Sequence, residues 1–421
     1  MKVLLINTND SGGGAAIACN RLSDALNHQG VDVRTLVMNR NSNRSNVAQF
    51  KDGKFQKYIA FLRFAFERLF FLFHEKDKSV RFAFSPANFG TDITKHPWVK
   101  DSDIIHIHWV NGGFLSLKSL EKLLQTKKTI VWTLHDMWLF SGGCHYAGSC
   151  RNFELECGNC HFLKKPKNKD LSWKVWNRKS NFMLQKKMNV VTCSRWLGKE
   201  AKASSLLQNA NISSIPNPIS LNMFKPANRA DLKRKYNIEE NKFVLLFGAA
   251  NINDKRKGLH LLVDALALLK NKKFDHNRLK IVVFGKFKDF DENSIAFDVL
   301  SLGQIKNAET MAEVYSMSDV FVLPSLEDNL PNTVMESMAC GTPVIAYNIG
   351  GIPEMVEDEK TGIVVDEVSP NALSEAIFTA VTEANIQQWS KNARAKVEEE
   401  YNYKSVATKY IDFYQNAMKN E

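Results

Sequence analysis

The chain has 421 residues, 44% hydrophobic and 24% charged, with a formal net charge of +11 and seven cysteines. This composition excludes a disordered or fibrous chain, and the length accommodates two globular domains. No run of about 18 uncharged apolar residues occurs, so no transmembrane helix is expected. Met1–Asn7 is too short an apolar run for a signal peptide. An odd number of cysteines without a secretory signal then points to a reducing cytoplasm. The basic excess suits nucleic acid, anionic lipid or phosphorylated substrates. No helix-turn-helix, RNA-binding or zinc-finger pattern is present, so nucleic acid is not expected as a partner.

Strands and helices alternate. Lys2–Asn7 reads as a strand, the Gly-rich turn Ser11-Gly12-Gly13-Gly14 follows, and Ala15–Gln29 reads as a helix. Val31–Met38 is the next strand. Phe55–Phe84 is dense in Phe and Leu. Between Lys51 and Arg81 stand eight Lys or Arg against four Asp or Glu. Two readings stand: an interfacial helix on an anionic membrane surface, or a helix packed in the first domain with its basic side chains snorkelling. Ile104–His108, Thr129–Leu134 and Asn189–Cys193 are further strands. Pro216–Pro226 is a linker, and a second α/β series begins beyond it: strand Phe243–Ala249, helix Gly258–Lys270, strands Leu279–Phe284, Val320–Leu323 and Thr342–Ala346. Helices Asn385–Glu400 and Lys404–Lys419 close the chain. The fold class is therefore α/β, with two doubly wound Rossmann-like domains, 1–217 and 218–403, and an active site expected in the cleft between them.

Open α/β sheets bind ligands at the carboxyl ends of their strands. Glu327, Asp328 and Asn329 follow the strand Val320–Leu323, and Leu330-Pro331-Asn332-Thr333 leads into a helix Thr333–Cys340 stopped by Gly341. Amides of that first turn favour a diphosphate, and the Glu336 carboxylate suits a ribose diol. The basic turn Lys255-Arg256-Lys257-Gly258 follows the strand Phe243–Ala249 and can neutralise a departing diphosphate. Cys144, Cys150, Cys157 and Cys160 lie within seventeen residues. In a reducing compartment this reads as a structural zinc site, with free or redox thiols as the other reading. His145 and His161 are spare ligands. Cys19, Cys193 and Cys340 are isolated and read as packing residues.

The acid spacing, Asn-Leu-Pro-Asn and Cys-Gly-Thr-Pro-Val together resemble the donor motif of glycosyltransferase family 4, retaining enzymes of the GT-B fold. The family form has two Glu separated by seven residues. Glu336 is the second here, and Asp328 occupies the first position with Glu327 one residue early, so either acid is a candidate for the donor sugar. The resemblance implies that Gly13 and Gly14 lie near the donor phosphate, that Lys257 is the phosphate-clamp lysine and that Gly285 and Ile305 approach the nucleotide. The clamp arginine falls near Asn251 and is missing, with Arg256 as its substitute. His135, in Thr133-Leu134-His135-Asp136, matches a histidine close to the transferred sugar. His106–Gly113 has the same strand-end placement and reads as an acceptor-side segment. The last helix, 404–421, is expected to return to the first domain.

The implied activity is transfer of a hexose from a UDP- or GDP-sugar to a glycan or lipid-linked glycan, with no catalytic metal, in cell-surface polysaccharide assembly such as capsule or exopolysaccharide. The implied location is the cytoplasm, on the inner face of the membrane. Other readings are a GT-B nucleotide-sugar epimerase, and a non-catalytic membrane-associated assembly partner. A phosphorylase would need a pyridoxal lysine, and none can be picked out.

Overall fold

The computed structural model describes residues 1–51, 53–286 and 291–419. Residues 420–421, the end of the expected last helix, lie outside the described residues. The chain divides into two compact units, Met1–Pro216 with Val406–Glu421, and Asn217–Ser405.

The first unit holds a seven-stranded sheet of order β3-β2-β1-β4-β5-β6-β7. Its strands are β1 (Lys2–Asn9), β2 (Asp32–Asn39), β3 (Val47–Gln49), β4 (Ile104–Ile107), β5 (Thr129–Leu134), β6 (Asn189–Thr192) and β7 (Asn211–Ser214). All its pairings are parallel. Helices cover both faces of such sheets, so the central strands are continuous apolar runs. Leu4, Ile6, Ile105, Ile107, Trp132 and Val190 accordingly form the core, each contributing roughly 1.5–3 kcal/mol by burial. The helix Tyr403–Lys419 packs Tyr410 and Tyr414 into this unit: Tyr414 Oη is 2.6 Å from His106 Nδ1 and Tyr410 Oη is 3.1 Å from Thr133 Oγ1.

The second unit holds a six-stranded sheet of order β10-β9-β8-β11-β12-β13. Here β8 is Phe243–Asn251, β9 Leu279–Lys286, β10 Asp298–Gly303, β11 Val320–Leu323, β12 Val344–Tyr347 and β13 Gly362–Val365. These pairings too are all parallel. Leu245, Phe247, Ile281, Val283, Val322 and Ile345 fill its core.

Both sheets are doubly wound, as the alternation predicts. In each, the strand order reverses at one place: between β1 and β4 in the first unit, and between β8 and β11 in the second. A crevice opens at such a switch point, outside the carboxyl ends of the two strands. The loops that follow β1, β4, β8 and β11 are therefore the places to look for chemistry.

Candidate functional site

In the second unit the switch point brings together two segments far apart in sequence. β8 runs into the turn Lys255–Lys257, whose start is capped by the Asp254 side chain accepting from Arg256 N–H at 3.1 Å. β11 runs into Pro324–Pro331. Leu326 N–H donates to the Arg256 carbonyl at 2.7 Å, and Lys257 Nζ reaches Asp328 Oδ2 at 2.6 Å. Gly258 closes the turn at φ +74, where a Cβ would stand 1.8 Å from the Pro324 carbonyl oxygen. Only glycine permits this approach and this backbone.

The two candidate acids differ in their surroundings. Asp328 is paired with Lys257. Glu327 has no ion-pair partner among the described residues. Burial raises its pKa above the usual carboxylate value, and the nearby Arg256 charge works the other way. Arg256 itself is committed to Asp254, through Nε at 3.2 Å and Nη2 at 2.7 Å.

The helix after the loop runs Asn332–Ala339, one residue earlier at each end than its pattern indicates. Pro331 stands at its N-cap, and no side-chain hydrogen bond caps the first turn. Asn329 and Leu330 are buried, and Gly351 N–H donates to the Asn329 carbonyl at 2.9 Å. Glu336 is buried, and its Oε2 accepts from Tyr315 Oη at 3.3 Å. Gly285 has a packing reason to be glycine, since at φ +134 a Cβ would lie 2.1 Å from the Ala249 carbonyl. Ile305 lies half-exposed just beyond β10.

In the first unit, the loop after β1 is held by buried Asp10, which accepts from Asn41 N–H at 2.8 Å, Ser42 N–H at 2.9 Å and Ser42 Oγ at 2.6 Å. Gly13 caps the helix Gly14–His28 in extended backbone, with open space around its Cα. His135 follows β5, half-buried. Its Nε2 is 2.9 Å from His108 Nδ1, and Cys193 Sγ lies 3.6 Å from its Nδ1.

Asp136 organises the neighbouring loop. It accepts from Trp138 N–H at 2.8 Å, from Trp109 Nε1–H at 3.1 Å and from His145 Nδ1–H at 2.7 Å. His145 Nε2 is 2.9 Å from Ser85 Oγ. Burial opposes the Asp136 charge, but the His145 charge and the hydrogen bonds from His145 and the Trp138 N–H outweigh it and hold its pKa below the usual range. Sequence reasoning missed the Asp136–His145–Trp109 set; the adjoining His-Asp and Cys-His dipeptides were the only signal. His145 is consequently no spare metal ligand, because both ring nitrogens are engaged. His106 belongs to the core rather than to an acceptor-side surface: it is fully buried between Tyr414 and Thr133.

Burial lowers the pKa of His135 to about 4 and of His106 to about 3, and carries His108 well below 6.5. For His135 the Asp136 charge opposes this; for His108 the charges of His106 and His135 add to it. An unfolded chain binds more protons than this cluster as pH falls below about 6.5. Its contribution to stability is therefore full above that pH and is lost towards pH 4. His135 alone accounts for about 2 kcal/mol between pH 7 and 5. Urea midpoints should fall over that interval, and His135→Gln should shrink the fall by about that amount.

Cys144, Cys150, Cys157 and Cys160 line one small cavity with Phe84 and Phe153. Burial pushes the Cys144 thiol up to about 11 and the Cys157 thiol up to about 12. Lys179, fully buried, donates to the carbonyls of Trp138 and Ser141 and lies 3.9 Å over the Trp138 ring. Burial depresses its pKa to about 7. Among the described residues no three His, Cys, Asp or Glu stand in a group arranged to hold a metal ion.

Two parallel, doubly wound units of this kind are the architecture of the GT-B fold. A model described as "Glycosyltransferase Family 4" matches residues 12–222, and one described as "Glycosyl transferases group 1" matches residues 228–396. The chain belongs to glycosyltransferase family 4. It is 32% identical over 179 residues to a D-inositol 3-phosphate glycosyltransferase of Arthrobacter sp. (strain FB24), a match covering 39% of this chain and 42% of that relative. It is 23% identical over 331 residues to the putative colanic acid biosynthesis glycosyl transferase WcaC of Escherichia coli (strain K12), covering 74% of this chain and 76% of that one. Among solved structures it is similar to HepE of Anabaena in complex with UDP and glucose, with a TM-score of 0.63, 14% identity, and coverage of 99% of this chain and 100% of that one.

Proposed function

We propose that the chain transfers a hexose from a UDP- or GDP-sugar, with retention, to a glycan or lipid-linked glycan in cell-surface polysaccharide assembly. The observation that carries this reading is the Lys257–Asp328 pair beside Gly258 at the second unit's switch point. A cation, two acids and a helix start converge there. Lys257, with the amides before Val334, neutralises the diphosphate as it leaves, while Arg256 stays paired with Asp254, and no catalytic metal is required. Asp328 holds Lys257 in place, which leaves Glu327 to take the sugar hydroxyls. Asn329, Leu330 and Pro331 shape the loop that presents both acids. Glu336, oriented by Tyr315, takes the ribose. Gly285 and Ile305 border the nucleotide. In the first unit, the open space at Gly13, with Gly14 beside it at the helix start, suits a phosphate, and neutral His135 polarises the acceptor side. The leaving phosphate accepts the acceptor hydroxyl proton on the face where the new bond forms. WcaC's colanic acid role and the UDP and glucose bound by HepE support the substrate class.

Incubation with a panel of UDP- and GDP-hexoses and a glycan acceptor tests this. Nucleoside diphosphate release coupled to a longer glycan, undiminished by omission of Mg²⁺ and Mn²⁺, is expected. An epimerised sugar nucleotide, or no turnover with any donor, would replace the reading by one of its alternatives. We further propose that the four cysteines take a structural zinc. Binding would deprotonate the thiols and draw them inward. About one zinc per chain by elemental analysis, lost in Cys157→Ser, is the expected result, and a metal-free folded protein would rule it out.

A further inference from the structure

The helix Lys54–Leu72 is anchored along one narrow edge. Of its 19 residues only Ala60, Glu67 and Phe71 are buried. The Glu67 carboxylate accepts from the N–H groups of Ala87, Asn88 and Phe89 at 2.6, 3.1 and 3.3 Å. Phe71 stacks on Phe84 with ring centroids 4.9 Å apart. Arg68 donates to the Phe84 carbonyl at 3.2 Å. These contacts fix the helix firmly, yet its outer side is apolar. Phe55, Tyr58, Phe61, Leu69 and Leu72 recur at three- to four-residue or longer helical spacings, and Phe73 continues the row. Phe55 is 70% exposed, Phe61 61% and Phe73 74%. Isolated exposed apolar residues need no explanation, but a row five turns long on a rigid helix does.

Cations flank this row. At the helix start, Lys54 and Lys57 line a polar cavity with Arg40, Asn41 and Ser42. Beyond its end, Lys76 and Lys78 are exposed. No helix among the described residues is long and apolar enough to cross a membrane. A helix with an apolar outer row and basic ends instead lies in the plane of an interface, its aromatic side chains among acyl chains and its cations at the headgroups. A second copy of the chain would bring like charges together on a protein already carrying +11. Anionic headgroups would neutralise them.

We propose that the outer face of Lys54–Leu72 docks on an anionic lipid bilayer, with the Arg40–Lys54–Lys57 cavity receiving headgroup phosphate. The inference does not rest on the transfer reaction. Co-sedimentation of the full chain with vesicles of phosphatidylglycerol and phosphatidylcholine, against phosphatidylcholine alone, tests it. Strong, salt-sensitive binding to the anionic vesicles only is expected. Lys54→Gln with Lys57→Gln should weaken it about 30-fold, the loss of about 1 kcal/mol per lysine. Phe61→Ser with Phe73→Ser should weaken it at least about tenfold, with melting temperature as the folding control; should that pair unfold, the exposed lysine pair alone decides. Equal binding to neutral vesicles, or indifference to the lysine pair, would overturn the proposal. So would self-association abolished by the Phe pair in the absence of vesicle binding.

Discussion

Lys257→Ala should lower kcat/KM for the sugar nucleotide by about 10²–10³-fold, the range seen when one preorganised charge-stabilising donor is removed. The expectation follows from where charge develops. Bond breaking at the sugar leaves negative charge on the diphosphate, and a cation held in place beforehand stabilises that charge without reorganising. Asp328, 2.6 Å from Nζ, supplies the holding contact. Asp328→Asn should therefore reproduce a fraction of the defect, and Lys257→Arg should restore part of the rate. Glu327→Gln should act separately, on sugar discrimination among donors. Melting temperature should stay close to wild type for Lys257→Ala, because the side chain is partly exposed and its pairing at a surface of this kind is worth about 1 kcal/mol or less. Steady-state kinetics with the preferred donor checks the Lys257 and Asp328 variants, and the same kinetics across a panel of donors checks Glu327→Gln. Unchanged turnover in Lys257→Ala would remove the lysine from the site.

Gly258→Ala should be far more damaging to the fold than its size suggests. The backbone sits at φ +74, and a Cβ there would overlap the Pro324 carbonyl at 1.8 Å. The left-handed conformation costs a non-glycine residue about 1–2 kcal/mol. Overpacking adds about 1–3 kcal/mol. The sum, about 2–5 kcal/mol, falls on the two loops that carry Lys257 and both acids. Gly303 provides the contrast. It also has a positive φ, +63, but its Cβ would meet nothing within 4 Å, so Gly303→Ala should cost only the backbone share. Hydrogen exchange along β8 and β11 separates the two: faster exchange in Gly258→Ala, near wild-type rates in Gly303→Ala.

Sequence reasoning located the central strands and missed β3, β7, β10 and β13. These four are the sheet edges. A central strand buried on both faces must be a continuous apolar run, as Phe243–Ala249 and Val320–Leu323 are. An edge strand has no such requirement. β7 is Asn-Ile-Ser-Ser, half-buried or exposed throughout, and β3 is only three residues long. The same distinction governs the site. Lys257, Gly258, Glu327 and Asp328 were legible because strand-end placement and glycine are local signals. Which acid pairs with the lysine was not, since that contact spans 71 residues. Nor was the commitment of Arg256 to Asp254, which turns a plausible substitute clamp into a side chain already paired. His106 and His108 alternate with Ile107 and look alike in sequence. One is closed off by tyrosines from a helix about 300 residues later, while the other meets His135.

Hydrogen exchange of the full chain with saturating UDP, and in parallel GDP, probes the nucleotide site without requiring the acceptor. The account predicts slowed exchange in segments 254–258 and 324–336 with one of the two nucleotides, and loss of that slowing in Lys257→Ala. Protection confined to other segments, or none with either nucleotide, would contradict it.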